Sequence, residues 1–66
     1  METLTRDAWI DAVYLLLCQS QGFPANDEER TNLREWASSL AGGDCDYFAE
    51  GYSPDDAHYE ELQAGL

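Results

Sequence analysis

Along the first third of the chain, apolar residues fall at Trp9, Ile10, Val13, Leu16 and Leu17, the three- and four-residue intervals that gather on one face of an α-helix. Asp7 and Asp11 fall on the opposite side. Thr5 is the expected N-cap, and Asp7 lies in the first turn, where a carboxylate suits the positive end of the helix dipole. Helix one is predicted to run to about Gln21, with Gly22 ending it and Phe23-Pro24 as connector. Leu15 and Cys18 stand off the apolar stripe, near the aspartates. Two readings follow: a central helix covered by neighbours on two sides, or a homodimer seam along Leu15 and Cys18 of an otherwise monomeric chain.

A second helix begins at the clearest local signal, Asn26-Asp27-Glu28-Glu29, with Asn26 as cap and Glu29 at the capping-box position. Leu33, Trp36, Ala37 and Leu40 supply its apolar face, and Gly42-Gly43 its stop. Arg30 and Arg34, one turn apart, read as local counterions to neighbouring acids. Acids in a first helical turn are favoured by the dipole, so Asp27, Glu28 and Glu29 need no functional explanation.

The remainder, GGDCDYFAEGYSPDDAHYEEL, divides in two. Asp44 is placed to cap a short helical piece from Cys45 to Glu50, which Gly51 ends. Ser53 then caps a second piece, with Pro54 at its first position and Asp56 at the capping-box position. Phe48, Tyr52, Tyr59 and Leu62 are expected to pin the segment to the core, with Asp46, Glu50, Asp55, Glu60 and Glu61 pointing outward. DYFAEGY can alternatively pair as a short extended piece. No segment alternates apolar and polar residues between turn signals, so the expected fold is all-α: a small single-domain bundle over residues 1–66, with three main helices, the last broken near Gly51.

Composition sets the scale. A chain of 66 residues makes one domain, and at this length folding buries only about 60% of the surface of the unfolded chain. Charge changes the picture more. Fourteen Asp and Glu face three Arg and no Lys, for a formal net charge of −11. A field of that sign attracts basic partners and repels nucleic acid and anionic membranes, so direct DNA or RNA binding is not expected. METLTRDAW does not read as a signal peptide, and the longest apolar run, AVYLLLC, is too short to cross a bilayer. The expected location is cytoplasmic, with Cys18 and Cys45 reduced.

Catalytic chemistry is sparse. The chain has one histidine and no lysine, Gly-rich phosphate loop, His-Glu-x-x-His or Cys-x-x-Cys. Two cysteines and His58 do not make a zinc site. Asp44-Cys45-Asp46 has the spacing of the first ligands of a calcium loop, but Phe48, Ala49 and Asp55 then occupy positions five, six and twelve, where a ligand, a glycine and a bidentate glutamate belong. The expectation is a non-enzyme without metal or cofactor. His58, beside Asp55, Glu60 and Glu61, reads as a surface histidine in a negative field.

The acids have a more specific possibility. Residues four apart on a helix stand about 6 Å apart along its axis, which approaches the spacing of neighbouring phosphates on one DNA strand. Asp56 and Glu60 have this separation, as do Asp46 and Glu50; Asp44, Asp55 and Glu61 extend the set, and Tyr47, Tyr52 and Tyr59 lie among them as candidate anchors. In size, charge and its acidic, tyrosine-bearing GDCDYFAEGYSPDDAHYEEL, the chain resembles the small phage-encoded anti-CRISPR and anti-restriction proteins that act as DNA mimics. The resemblance is one of class. It implies an inhibitor, working in the host bacterial cytoplasm, that fills a Lys- and Arg-lined DNA or protospacer-adjacent-motif site, most typically of a CRISPR effector complex. The alternative is an adaptor or antitoxin-like module that binds a basic protein through apolar and tyrosine contacts.

Overall fold

The computed structural model describes residues 4–43 and 46–64. Three helices form: α1 (Arg6–Gln21), α2 (Asp27–Ser39) and α3 (Pro54–Ala64). Their starts follow the caps read from the sequence. The Thr5 hydroxyl accepts the Ala8 N–H at 3.2 Å, Asn26 Oδ1 accepts that of Glu29 at 2.9 Å, and Ser53 Oγ accepts that of Asp56 at 3.2 Å. Each satisfies a donor that the first turn of a helix leaves without an intrahelical partner. Gly22 ends α1, its N–H bonding to the Cys18 carbonyl at 2.9 Å.

Helix α1 is central. Helices α2 and α3 each pack on it and make no backbone approach to one another. Trp9, Ile10, Val13 and Leu17 of α1 join Ala37, Leu40, Ala41 and Ala57 in the core, with Tyr14, Leu33, Trp36, Tyr47 and Phe48 packed around it. The two-sided cover expected for α1 is therefore what the chain adopts. It also places Cys18 inside, at 1% exposure, so a seam along Leu15 and Cys18 does not exist as an open surface; Leu15 alone remains exposed. Leu16 is only half-buried.

The passage from α2 to α3 is made of turns. The amides of Leu40, Ala41 and Gly43 close the end of α2 on the carbonyls of Ala37, Ser38 and Ser39. Gly43 is demanded by space: a Cβ there would lie 2.6 Å from the Ser39 carbonyl oxygen and 2.8 Å from its Cα. Among the described residues, extended pairing is limited to one isolated bridge, Ala41 with Asp46. From Asp46 the chain makes a single helical turn, Glu50 N–H to Asp46 carbonyl at 3.1 Å. The turn closes with the Gly51 N–H on the Phe48 carbonyl and the Tyr52 N–H on the Tyr47 carbonyl. That pair of bonds is a Schellman motif, and Gly51 holds the left-handed position it requires, φ +87°. The break before α3 thus falls where Gly51 and Ser53-Pro54 place it. The turn is capped by Asp46, whose Oδ1 accepts the Ala49 N–H at 3.1 Å; Asp44 and Cys45, assigned to this start, lie outside the described residues.

Two contacts fasten this segment to α1. Trp9 Nε1 donates to the Tyr52 carbonyl at 2.9 Å, and the Phe48 ring meets Trp9 edge-on at 5.7 Å between centroids. Phe48 is the pin expected of it. Tyr59 and Leu62 are not: they are 59% and 37% exposed, and α3 is seated instead through Ala57, which is fully buried. A small residue lets the α3 backbone come close to α1, which a bulky aromatic at that position would prevent.

Candidate partner-binding surface

The segment from Asp46 to α3 carries the acids of interest, and its backbone is held at both ends by the caps described above. Asp46 and Glu50 open and close one helical turn and are exposed. On α3, successive residues advance by about 100°. Asp56 and Glu60 therefore lie on one outward row, about 6 Å apart along the axis, and both are exposed. Asp55 begins a neighbouring row that continues through Tyr59 to Leu62. Asp55 and Asp56 also occupy the first turn of α3, where the helix dipole favours them.

Glu61 does not belong to this surface. It lies on the same side of α3 as Ala57, is half-buried, and its Oε1 accepts the Trp36 indole N–H at 2.8 Å. The expectation that it points outward is corrected by the chemistry of Trp36. A large aromatic ring packed from α2 against the core brings along one N–H that needs an acceptor, and Glu61 of α3 is within reach. His58 is likewise more than a surface residue, since it is half-buried with Nε2 3.0 Å from the Ser20 hydroxyl of α1.

The three tyrosines separate. Tyr47 is half-buried against the core, and its ring tilts at 54° onto that of Tyr52 at 4.8 Å. Tyr52 is 36% exposed and Tyr59 59%, so Tyr59 is the one that presents most of its ring outward. Neither Tyr47 nor Tyr59 was distinguishable from the other by spacing alone, because the difference lies in which side of each turn faces α1.

No protein-family model, curated protein or solved structure matches the chain. Its surface must be read from its own charges. All three arginines, Arg6, Arg30 and Arg34, line one open groove of about 380 Å³ between α1 and α2. They are engaged there: Arg34 pairs with Asp11 at 2.6 Å across the two helices, Arg30 with Asp27 at 3.2 Å, and Arg6 Nε donates to the Ala41 carbonyl at 2.8 Å. Asp7 and Glu35 share the groove, which is therefore a zone of compensated charge. From Glu35 onward the sequence contains no cation. The acids that follow Glu35 thus have no Lys or Arg near them along the sequence, and no salt bridge is formed by Asp46, Glu50, Asp55, Asp56 or Glu60 among the described residues.

Arg34 also lies over Tyr14, 5.2 Å from the ring centroid. Burial pushes the Tyr14 phenol above its ordinary pKa, and the Cys18 thiol beside it adds to the shift; Arg30 and Arg34 act in the opposite sense. Among the described residues no group of three or more His, Cys, Asp or Glu is arranged to hold a metal ion, and no helix is long and apolar enough to cross a membrane.

Proposed function

We propose that this protein is a stoichiometric inhibitor that fills the Lys- and Arg-lined site of a DNA-binding protein, with a CRISPR effector complex as the target class. One observation carries the reading: Asp46, Glu50, Asp55, Asp56 and Glu60 are exposed on a segment whose turns are capped, and among the described residues none of them is held in a salt bridge. Charges on an ordered backbone can match a cleft arranged for phosphates, whereas charges on a mobile tail lose entropy when they are matched. Long-range attraction would bring the partners together, and salt would weaken the complex. Tyr59, exposed beside Asp55 and Glu60, supplies the aromatic anchor that such patches use near their centre.

The exposed Tyr59 and Leu62 also support a second reading, an adaptor or antitoxin-like module held mainly by apolar contact. Salt separates the two. Immobilised protein is used to capture prey from bacterial lysate at low and high sodium chloride. A basic, DNA-binding prey lost at high salt supports mimicry; capture insensitive to salt supports the apolar module. A variant in which Asp46, Glu50, Asp55, Asp56 and Glu60 become Asn or Gln is expected to lose the prey with its helicity unchanged. Glu61→Gln is expected to keep it, because Glu61 faces Trp36. Undiminished capture by the five-site variant would overturn the mimic reading.

A further inference from the structure

One short pattern occurs twice in the chain: Asp11-Ala12-Val13-Tyr14 in α1 and Asp56-Ala57-His58-Tyr59 in α3. Both copies lie in regular helix, so in each the aspartate and the tyrosine, three residues apart, are neighbours on the helix surface. The α1 copy holds an arginine. Arg34 reaches across from α2 with Nη1 2.6 Å from Asp11 Oδ1, and its guanidinium carbon lies 5.2 Å from the centroid of the Tyr14 ring. The carboxylate takes a charged donor and the aromatic ring takes the flat face, two contacts that a planar guanidinium makes together. The α3 copy is presented to solvent: Tyr59 is 59% exposed and Asp56 is exposed. Among the described residues the Asp56 carboxylate enters no salt bridge, and the arginines are committed elsewhere, Arg34 to Asp11, Arg30 to Asp27 and Arg6 to the Ala41 carbonyl.

We propose that Asp56 and Tyr59 form a receptor for an arginine side chain of the partner, its guanidinium stacked on the Tyr59 ring and bonded to the Asp56 carboxylate as that of Arg34 is on Tyr14 and Asp11. The proposal rests on the partner-binding reading above and names its chemistry: this surface selects arginine over lysine. Long-range attraction to the acids does not distinguish the two cations. Contact with the ring does, because a lysine ammonium is a compact, strongly hydrated charge with no flat face to lay on an aromatic, whereas a guanidinium is planar, weakly hydrated and forked. Asp55, one turn before Tyr59, and Glu60 beside it are exposed as well, so the α3 copy has more negative charge around its tyrosine than the α1 copy, where Asp11 is the single acid between Ala8 and Gln21. Ala57, inside the pattern, is buried against α1 and fixes which side of α3 turns Asp56 and Tyr59 outward.

Titration of the full chain with hexa-arginine and with hexa-lysine at equal ionic strength, followed by calorimetry and by the ring-proton resonances of Tyr59, tests it. The two peptides carry the same charge, so a difference between them reports the guanidinium. Hexa-arginine is expected to bind about fivefold tighter or more and to shift the Tyr59 ring protons. Tyr59→Ala and Asp56→Asn, both at exposed positions and checked by circular dichroism, are expected to bring hexa-arginine down to the level of hexa-lysine, while Tyr59→Phe, which keeps the ring, is expected to keep the preference. Equal affinity for the two peptides, no binding of hexa-arginine, or a preference that survives Tyr59→Ala or disappears in Tyr59→Phe would overturn the proposal. No defence complex enters this experiment. Equal peptide affinities beside salt-sensitive capture of a basic prey would remove the arginine receptor and leave the mimic reading standing, and an arginine preference without such capture would do the reverse.

Discussion

Glu61 offers the sharpest test of how α3 is oriented. Because α2 and α3 do not meet along their backbones, the bond from Trp36 Nε1 to Glu61 Oε1, 2.8 Å long, is a side-chain bridge between two helices whose backbones stay apart. Glu61→Leu removes the acceptor and leaves a partly buried indole N–H without one. Losing a hydrogen bond to a charged group and stranding its partner costs about 1–3 kcal/mol, and the partial exposure of this pair favours the lower half of that range. In a domain of this size about 1 kcal/mol moves the melting temperature by roughly 4–8 °C. Glu61→Gln keeps an amide oxygen at the same reach and gives up only the charge, so it should retain most of the stability. Thermal unfolding followed by tryptophan fluorescence reads both variants, and the indole Nε1–H proton resonance of Trp36 reports the bond directly. Equal melting temperatures for wild type and Glu61→Leu would refute the reasoning. So would a Glu61→Gln variant as unstable as Glu61→Leu, since that would make the charge rather than the acceptor the source of the effect.

Gly43→Ala places a methyl carbon 2.6 Å from the Ser39 carbonyl oxygen, a backbone atom that cannot move aside without opening the end of α2; a loss of about 2 kcal/mol or more is expected, and chemical denaturation with an unchanged midpoint would contradict it. Tyr14 gives a pH prediction. Its folded-state pKa lies above its unfolded value near 10, so the unfolded chain sheds the phenol proton first and stability falls as pH rises from that value through the folded-state pKa. Tyr14→Phe removes this contribution, and its melting temperature should fall less than that of wild type on going from neutral to strongly alkaline pH; parallel declines would show that Tyr14 does not contribute.

How much of this was legible beforehand can be judged residue by residue. The helix starts at Thr5, Asn26 and Ser53, the stop at Gly22, and the break at Gly51 are local events, each decided by hydrogen bonds that reach three to five residues along the chain. The three-helix architecture follows from those signals and from the periodic apolar residues between them. Of the candidate surface, the exposed positions of Asp46, Glu50, Asp55, Asp56 and Glu60 were readable in the same way, because carboxylates without partners stay in water.

What sequence could not decide is which side of α3 meets the rest of the protein. Tyr59 and Leu62 are larger and more apolar than Ala57, yet Ala57 is buried and they are not. Burial there depends on how closely two helix backbones approach, and a small residue at the crossing permits an approach that hydrophobicity alone does not favour. The same long-range packing turned Cys18 inward, brought Trp36 to Glu61 and Ser20 to His58, and gathered Arg6, Arg30 and Arg34 into one groove. The sequence by itself determined the helices, their ends and the excess of negative charge, since these rest on near neighbours and on composition. Only the tertiary structure decided which carboxylates are free, because a side chain far away in the sequence can claim one of them only when the fold brings it within hydrogen-bonding distance.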